Sequence, residues 1–342
     1  MNFDLESYIK NKILKYGPIT IAEYMSIISY KKHSGYYSSH KIGDDFITSP
    51  QISKSFGGLI ALWFYQLWKK YFYSQKITFI ELGSGNGDLM RSMIKIFIQI
   101  PEFFDKISIN IVENSEFLKE EQKEKLTFLS QLHKKKVNWF TDLGEIEINS
   151  PIFLIANEFF DCLPINQFFY QNDTLHEILI NFDEQNNKFS YCLSKKLSNS
   201  QYLIHKNYLI NNKIIEISTS SINICKYINQ ILTRFCGISL IIDYGYSQFF
   251  GKSSLQKIYK HKKISNIFDN IGCADISSHV NFLDLMRVLE DCDNKLYTQK
   301  DFLSHLKVEK IANNVDKRIY DSQLEESMGN LFKVLYSKKV NF

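Results

Sequence analysis

One stretch of the chain, Phe79–Leu89, restricts its possible folds more than any other. It reads FIELGSGNGDL, so a short apolar run breaks into glycines at alternate positions, Gly83, Gly85 and Gly87. Apolar residues spaced for one helix face follow over residues 89–97. A strand, a glycine turn and a helix in this order are typical of parallel α/β sheets, which bind cofactors at the turn and the helix N-terminus. We therefore predict an α/β fold with a cofactor crevice at this turn.

The residues around the glycines indicate which class of cofactor the turn accepts. Glycine adopts positive φ and has no Cβ to hold a ligand away from the backbone. The dinucleotide fingerprint G-x-G-x-x-G requires a third glycine where Asp88 stands, and Glu81 adds a carboxylate before the turn. Both acids disfavour a pyrophosphate and favour a cation with an amino-acid end. S-adenosylmethionine is such a ligand, and Glu81 is placed to hold its ammonium group. A tight βα loop without a ligand is the alternative.

Length, charge and cysteine spacing limit the classes of partner. The 342 residues suffice for one large α/β domain or two smaller ones. The 41 basic and 37 acidic residues give a net charge of +4 and are spread along the chain, which indicates no nucleic-acid partner. The six cysteines show neither CxxC pairs nor His/Cys metal spacing, which indicates reduced thiols and no metal site.

The N-terminal residues and the longest apolar stretch bear on location. Asp4 and Glu6 interrupt any apolar signal region and argue against an acid-poor transit peptide. The longest apolar stretch, Phe56–Trp68, is too short and too mixed to span a bilayer. We therefore predict a cytoplasmic protein without membrane insertion.

Polar residues also end the strands predicted after the glycine turn. Glu113 closes the alternating strand 107–112, at the interval from Gly87 that a helix and a second strand require. An acid in this position is suited to accept hydrogen bonds from both ribose hydroxyls of a nucleotide. Asp142 follows a short third strand, 137–140, and either contacts the adenine amino group or caps a turn.

A second informative stretch, NEFFDCLP, follows the buried strand predicted over 151–156. It places an amide and two carboxylates, Asn157, Glu158 and Asp161, at the carboxyl end of a central strand. Because this end of a parallel sheet is the cofactor side, we expect these groups to face the methyl donor. A loop whose polar groups cap the next helix is the alternative.

Ten segments carry a resemblance to a known family. They are GPITIAEYM (17–25), HSGYY (33–37), DFITSPQIS (45–53), ELGSGNGDLM (81–90), IVENSEFLKEEQ (111–122), ANEFFDCLP (156–164), IIDYGY (241–246), ADISSHVNF (274–282), TQKDFL (298–303) and MGNLFKVL (328–335). Through them the chain resembles the MidA-type family of S-adenosylmethionine-dependent methyltransferases, which includes a mitochondrial protein arginine methyltransferase. The glycine motif alone indicates only a class I methyltransferase, whereas the DFITSP, NEFFDCLP and DYGY segments together are much more specific to this family.

The resemblance implies a Rossmann-like fold with a seven-stranded, mostly parallel sheet, a helical N-terminal cap and an inserted α+β segment. The division it implies is residues 1–75 for the cap and substrate mouth, 76–164 with 236–342 for the core, and 165–235 for the insert. Within the insert, the sequence predicts strands over 166–170, 177–182 and 189–193 and a helix over 221–235.

The resemblance also assigns residues to three parts of the site. The cofactor contacts are Glu81, Gly83, Ser84, Gly85, Gly87 and Glu113, with Asp142 as the possible adenine contact. The catalytic group is Glu158 and Asp161, with Asn157 beside them. The substrate mouth is Asp45, Thr48, Ser49, Pro50, Asp243, Tyr244 and His279. A core or capping histidine would explain His279 equally well.

The function that the resemblance implies is methylation of a protein arginine, with a partner in the assembly of respiratory NADH:quinone oxidoreductase. Methylation of a small molecule or another protein nucleophile is one alternative. A non-catalytic assembly factor that binds S-adenosylmethionine is another, and a nicotinamide dehydrogenase is opposed by Asp88. Gln51, Gly58 and Asn281 stand where the family usually has acids, which would weaken recognition of a cationic substrate.

Overall fold

The fold is described from a computed structural model, over residues 4–38, 54–197, 208–306 and 327–340. The helices are α1 (Leu5–Tyr16), α2 (Ile21–Tyr30), α3 (Lys54–Tyr71), α4 (Asp88–Phe97), α5 (Pro101–Phe104), α6 (Glu116–His133), α7 (Thr219–Phe235), α8 (Phe282–Val288), α9 (Gln299–His305) and α10 (Met328–Leu331). The strands are β1 (Ile19–Thr20), β2 (Ile77–Leu82), β3 (Ile107–Val112), β4 (Val137–Phe140), β5 (Ile152–Asn157), β6 (Asn166–Gln171), β7 (Thr174–Asp183), β8 (Lys188–Leu193), β9 (Lys213–Ile217), β10 (Gly237–Tyr246), β11 (Gln256–Tyr259), β12 (Lys262–Ile264), β13 (Asp275–Ser277), β14 (Val280–Asn281), β15 (Asp293–Thr298) and β16 (Phe332–Lys339). Short 3-10 turns occupy Tyr36–Ser38 and Leu143–Glu145.

The central sheet contains seven strands in the order β15-β16-β10-β5-β2-β3-β4, and the two-residue β14 pairs with the end of β10. The strands from β10 to β4 are parallel to their neighbours, whereas β16 is antiparallel to both β10 and β15. The predicted seven-stranded, mostly parallel sheet is therefore confirmed.

Helices cover both faces of this sheet. Every residue of β2 and β5 is buried, as expected for parallel strands with helices on each side. On one face, Phe64 of α3 packs against Phe79 and Phe153 of the sheet, with ring centroids 5.1 and 5.3 Å apart. On the other face, Ile228 of α7 and Phe282 of α8 join one apolar cluster. Helices α3 and α7 thus pack on the core sheet, although the predicted division assigns them to the cap and the insert. The domain boundaries stay a proposal.

The inserted residues form a second, antiparallel sheet beside the first. Strands β6, β7 and β8 correspond to the three predicted strands, whereas β9 was not predicted. The N-terminal strand β1 joins this sheet by pairing with β7. Residues of α1 and α2 share an apolar cluster with Ile180 and Ile276, which anchors the N-terminal helices to the insert and to β13. Over the described ranges, no helix is long and apolar enough to cross a membrane.

Candidate active site

The glycine turn lies directly after β2, where the sequence predicted it. Gly83, Gly85 and Gly87 have φ of 62°, 55° and 81°. These left-handed conformations strain any residue with a Cβ, which explains the choice of glycine. A Cβ on Gly83 would lie 2.5 Å from Cδ2 of Phe159, so the loop after β5 packs directly on the turn. The cofactor turn and the predicted catalytic loop are therefore neighbours.

Two buried carboxylates flank this turn. Glu81 is 2% exposed, and its Oε2 accepts a hydrogen bond of 2.5 Å from Oγ of Ser84. Burial, with a smaller contribution from the nearby Glu113, raises the pKa of Glu81 to about 8, against the hydrogen bond from Ser84. Glu113 follows the neighbouring strand β3, and burial raises its pKa too. One of its oxygens, Oε1, accepts from the backbone N–H of Ser115 at 2.9 Å.

The turn and its two acids fit S-adenosylmethionine better than a dinucleotide. An ammonium group and sugar hydroxyls would favour the ionised forms of these two buried acids, whereas a pyrophosphate would oppose their ionisation. Asp88, at the first position of α4, is paired with Nζ of Lys125 at 2.8 Å. The residue in the position of the third fingerprint glycine is therefore an aspartate that is paired with a lysine.

Asp142 has the second of its two predicted roles in this structure. Its Oδ1 accepts from the backbone N–H of Gly144 at 2.7 Å and caps the 3-10 turn Leu143–Glu145. The side chain is exposed. Contact with adenine stays a prediction.

The loop after β5 is held in shape by Asp243. Oδ2 of Asp243 accepts from the backbone N–H groups of Phe159, Phe160 and Asp161 at 3.1, 2.9 and 3.2 Å. Its Oδ1 accepts from the N–H of Tyr244 at 3.0 Å. Asp243 is fully buried and lies beneath the loop, whereas the family resemblance implies a place at the substrate mouth. Burial and the nearby carboxylates of Asp161 and Glu158 raise its pKa, against these backbone hydrogen bonds.

Asn157 is the last residue of β5, and Glu158 begins the loop with a strained backbone. Glu158 has φ of 52°, and its N–H donates to the carbonyl of Ile242 at 2.8 Å. Left-handed backbone at a residue other than glycine costs about 1–3 kcal/mol and is concentrated at functional sites. Nδ2 of Asn157 donates to Oε1 of Glu158 at 3.1 Å. Oδ1 of Asn157 is buried and has no hydrogen-bond partner within the part of the chain that is described.

Asp161 is a buried acid with a raised pKa. Its side chain is 8% exposed, and burial raises its pKa to about 6, against a hydrogen bond from Tyr244. The Tyr244 hydroxyl oxygen also forms a hydrogen bond of 2.6 Å with the hydroxyl of Ser277. The ring of His279 packs edge-on against Tyr244, with centroids 5.6 Å apart. Of these two residues, both predicted at the substrate mouth, Tyr244 therefore contacts Asp161, and His279 packs on Tyr244.

The N-terminal residues Tyr30 and Tyr37 join the two halves of the site, which the sequence analysis did not foresee. Tyr30 donates through its hydroxyl to the carbonyl of Cys162 at 2.8 Å, next to Asp161. Tyr37 donates to Oδ1 of Asp275 at 2.7 Å, and its carbonyl accepts from Oγ of Ser115 at 2.6 Å. Tyr37 and Asp275 lie in the segments HSGYY and ADISSHVNF, whereas Tyr30 lies in none of the ten segments of the resemblance.

Two of the positions that depart from the family pattern, Asn281 and Gly58, lie at or within helices in the described part of the chain. Asn281 caps α8, since its Oδ1 accepts from the N–H of Asp284 at 3.4 Å and its Nδ2 donates to Oδ2 of Asp284 at 2.8 Å. Gly58 lies on α3, where a Cβ would come no closer than 3.5 Å to Ile96 of α4. The predicted mouth residues Asp45, Thr48, Ser49 and Pro50, and the departure Gln51, lie outside the described residues.

One solved structure resembles the chain over nearly its whole length. It is a candidate methyl transferase from Burkholderia thailandensis bound to S-adenosyl-homocysteine, with a TM-score of 0.82 and 19% sequence identity. The match covers 99% of this chain and 92% of the other. At this identity the comparison supports the fold.

Several named proteins are similar to the chain in sequence. The mitochondrial protein arginine methyltransferase NDUFAF7 homologue of Caenorhabditis elegans is 27% identical over 97% of this chain and 83% of its own length. The mitochondrial protein arginine methyltransferase NDUFAF7 of Danio rerio is 28% identical over 90% of this chain and 78% of its own length. Because these relatives are mitochondrial proteins, the predicted cytoplasmic location is wrong.

The family itself is settled by the extent of one match. A family model for putative S-adenosyl-L-methionine-dependent methyltransferases matches residues 59–299, well over half of the chain. This range contains the glycine turn, both buried acids and the loop after β5. The chain therefore belongs to this family of S-adenosyl-L-methionine-dependent methyltransferases, as the MidA-type resemblance predicted, and S-adenosylmethionine is its cofactor.

Proposed function

We propose that this enzyme methylates an arginine nitrogen of a protein, in the crevice between the glycine turn and the loop after β5. The observation that carries the proposal is the position of this loop. Phe159 packs on Gly83, and the carboxylates of Glu158 and Asp161 flank that phenylalanine in the chain. The loop therefore brings two acids to the place where the cofactor turn begins.

The cofactor contacts follow from the two buried acids. Glu81 would hold the ammonium group and Glu113 the ribose hydroxyls, while the glycines leave the backbone accessible to the ligand. When bound, S-adenosylmethionine supplies a methyl group on a positively charged sulfur and leaves as a neutral thioether. Because that leaving group needs little acid assistance, most of the catalysis falls to alignment, which can supply on the order of 7–11 kcal/mol.

The acceptor contacts follow from the charge of arginine. Its guanidinium is protonated at any working pH, since its pKa exceeds ~12. Carboxylates bind this planar fork in a fixed orientation, so Glu158 and Asp161 would turn one nitrogen toward the methyl group. As the new N–C bond forms, that nitrogen releases a proton. The raised pKa of Asp161, about 6, makes its carboxylate a better base than an exposed aspartate, and it or a water would take the proton.

The names of the relatives support the choice of acceptor. Those of Caenorhabditis elegans and Danio rerio are both named as protein arginine methyltransferases. The MidA-type resemblance points further, to a subunit or assembly intermediate of respiratory NADH:quinone oxidoreductase. We include that partner in the proposal as the first protein to test.

Labelled methyl transfer tests the proposal directly. We expect label from S-adenosylmethionine to enter an arginine of a protein of that complex. Glu158→Gln and Asp161→Asn each remove one charge from the acceptor site, and we expect kcat/KM for the acceptor to fall by about 10²-fold or more. Binding of S-adenosyl-homocysteine, measured by calorimetry, should stay within about threefold of wild type, because both acids are assigned to the acceptor. Label in a small molecule only, or full activity in both variants, would contradict the proposal.

A further inference from the structure

A buried glutamine on α6 faces the cofactor turn without having been assigned any role. Gln122 has no exposed surface, and an amide is costly to bury unless it is hydrogen-bonded. Its Nε2 donates to the carbonyl of Gly85 at 2.7 Å and to Oε2 of Glu113 at 3.1 Å. Its Oε1 accepts from Nε1 of Trp139 at 3.0 Å. One side chain therefore contacts the middle of the glycine turn, the predicted ribose acid and the adjacent strand β4.

The orientation of this amide is fixed by its partners. An indole N–H only donates and a backbone carbonyl only accepts. Oε1 of Gln122 must therefore face Trp139, and Nε2 must face Gly85 and Glu113. Both N–H bonds of the amide are used, one on each functional element.

These contacts leave little freedom in the parts that the cofactor would meet. Glu113 is held at both oxygens, by Gln122 on Oε2 and by the N–H of Ser115 on Oε1. Donors to both oxygens favour the ionised carboxylate, which burial alone opposes. The carbonyl of Gly85 is held toward α6, and Lys125, one helical turn after Gln122, holds Asp88 at the other end of the turn.

We propose that Gln122 is a positioning residue for the cofactor, which fixes the glycine turn and the ribose acid relative to each other before the ligand arrives. The proposal rests on the placement of the cofactor given above. Preorganised contacts increase affinity because the free protein has less to order on binding. Gln122 acts through Gly85 and Glu113, so its loss should raise the KM for the cofactor and leave kcat nearly unchanged.

Gln122→Met tests this with a side chain of similar length and no donor. We expect the Kd of S-adenosyl-homocysteine, measured by calorimetry, to rise by about tenfold, with kcat at saturating S-adenosylmethionine within about twofold of wild type. The matched control is Gln167→Met. Gln167 is 3% exposed and donates to the buried Glu216 at 2.7 Å, away from the turn. The control should lose comparable stability and keep wild-type affinity for the ligand. Equal affinities in the two variants would overturn the inference.

Gln122→Glu gives a pH signature that a purely structural role would not produce. The glutamate carboxylate can donate to neither Gly85 nor Glu113, whereas its protonated form can donate once. Burial beside Glu113 would raise the pKa of the new carboxyl. The loss of affinity relative to wild type should therefore shrink as the pH falls from 9 to 6, while the loss in Gln122→Met should not change. A loss independent of pH in both variants would count against the inference.

Two further variants separate this inference from the cofactor placement itself. Glu113→Gln tests the placement: if it lowers affinity and Gln122→Met does not, only the inference fails. If neither lowers affinity, the placement fails and the inference with it. Should Gln122→Met not fold, Trp139→Phe keeps the amide and removes the donor to Oε1. We then expect a rise in Kd of about threefold, and an unchanged Kd would overturn the inference.

Discussion

Asp161 combines burial with a raised pKa at the point where a charged acceptor is expected. Its pKa of about 6 reflects burial, which the hydrogen bond from Tyr244 offsets only in part. A carboxyl with this pKa is ionised at neutral pH, so it can still pair with a guanidinium. The pKa of this carboxyl is also close enough to neutral pH for the group to accept a proton during turnover.

The pH dependence of acceptor use tests this reading of Asp161. Because the ionised carboxylate is needed, kcat/KM for the acceptor should rise with pH and level off above about 6, falling by about tenfold per pH unit well below that value. The measurement is a pH profile with saturating cofactor. Asp161→Asn should abolish this step in what activity remains. A wild-type profile flat between pH 5 and pH 7 would contradict the assignment.

At the scale of elements, the active site depends on how β10 supports the loop after β5. Asp243 accepts hydrogen bonds from three backbone N–H groups of this loop. Without it these donors would have no hydrogen-bond partner, and unsatisfied buried donors are costly. The support also explains how a strained residue, Glu158, is tolerated at the loop start. Strand β10 is parallel to β5, so both strands end at the same edge of the sheet.

Asp243→Asn tests this support. Whichever way the amide turns, its NH₂ group must face backbone N–H groups in place of one oxygen. We expect a loss of about 1–3 kcal/mol in unfolding free energy and a fall in kcat/KM beyond what the lost stability explains. Thermal denaturation and labelled methyl transfer measure the two effects. Asp4→Asn is the control, because this exposed N-cap of α1 accepts from the backbone N–H of Glu6 at 3.0 Å, an asparagine caps equally well, and the change should affect neither quantity. Equal behaviour of the two variants would show that the loop does not depend on Asp243.

Much of this site was predictable because its residues are close in sequence to a strand end. The glycine turn, Glu113 and the Asn157–Asp161 loop each follow a buried strand directly, and parallel strands end at a common edge. Contacts between distant segments gave no local signal. Tyr37 and Asp275 are 238 positions apart, and Gln122 reaches Gly85 across 37. The burial of Asp243 could not be predicted for a related reason. The sequence pattern of an acid near a strand end is the same whether its side chain faces the substrate mouth or lies beneath a loop.

At the scale of the whole molecule, the site brings together several buried acids, and contacts within the folded protein do not fully offset the cost of burying their charges. Burial raises the pKa of Glu81 to about 8 and of Asp161 to about 6, and it also raises those of Glu113 and Asp243. An acid with a raised pKa in the folded state binds more protons there than in the unfolded chain. The free energy of unfolding must therefore fall as the pH rises from about 4.5 to about 8.

A buried lysine has the opposite effect on the pH dependence of stability, above that pH range. Lys257 has no exposed surface and donates to the carbonyls of Ile267 and Asp269 at 3.0 and 2.6 Å. Burial lowers its pKa from 10.5 to about 8, so the unfolded chain binds more protons between these values. Stability contributed by this group therefore rises with pH above about 8. Together the two effects predict a shallow minimum of stability near pH 8 for the protein without cofactor.

Thermal denaturation between pH 5 and pH 9, with and without S-adenosyl-homocysteine, tests this prediction. Without ligand, we expect Tm to fall by at least ~2 °C between pH 6 and pH 8, since about 1 kcal/mol changes Tm by a few degrees. The ligand's ammonium should stabilise the ionised Glu81, so the ligand should raise Tm most near pH 8. Glu81→Gln removes the acid whose pKa is raised to about 8, so it should flatten the fall between pH 6 and pH 8 while weakening ligand binding. A wild-type Tm that rises steadily from pH 5 to pH 8 would contradict this prediction, because it would mean that cationic groups of the protein already pair with these carboxylates. The cofactor crevice would then have no unpaired negative charge with which to select a cationic ligand.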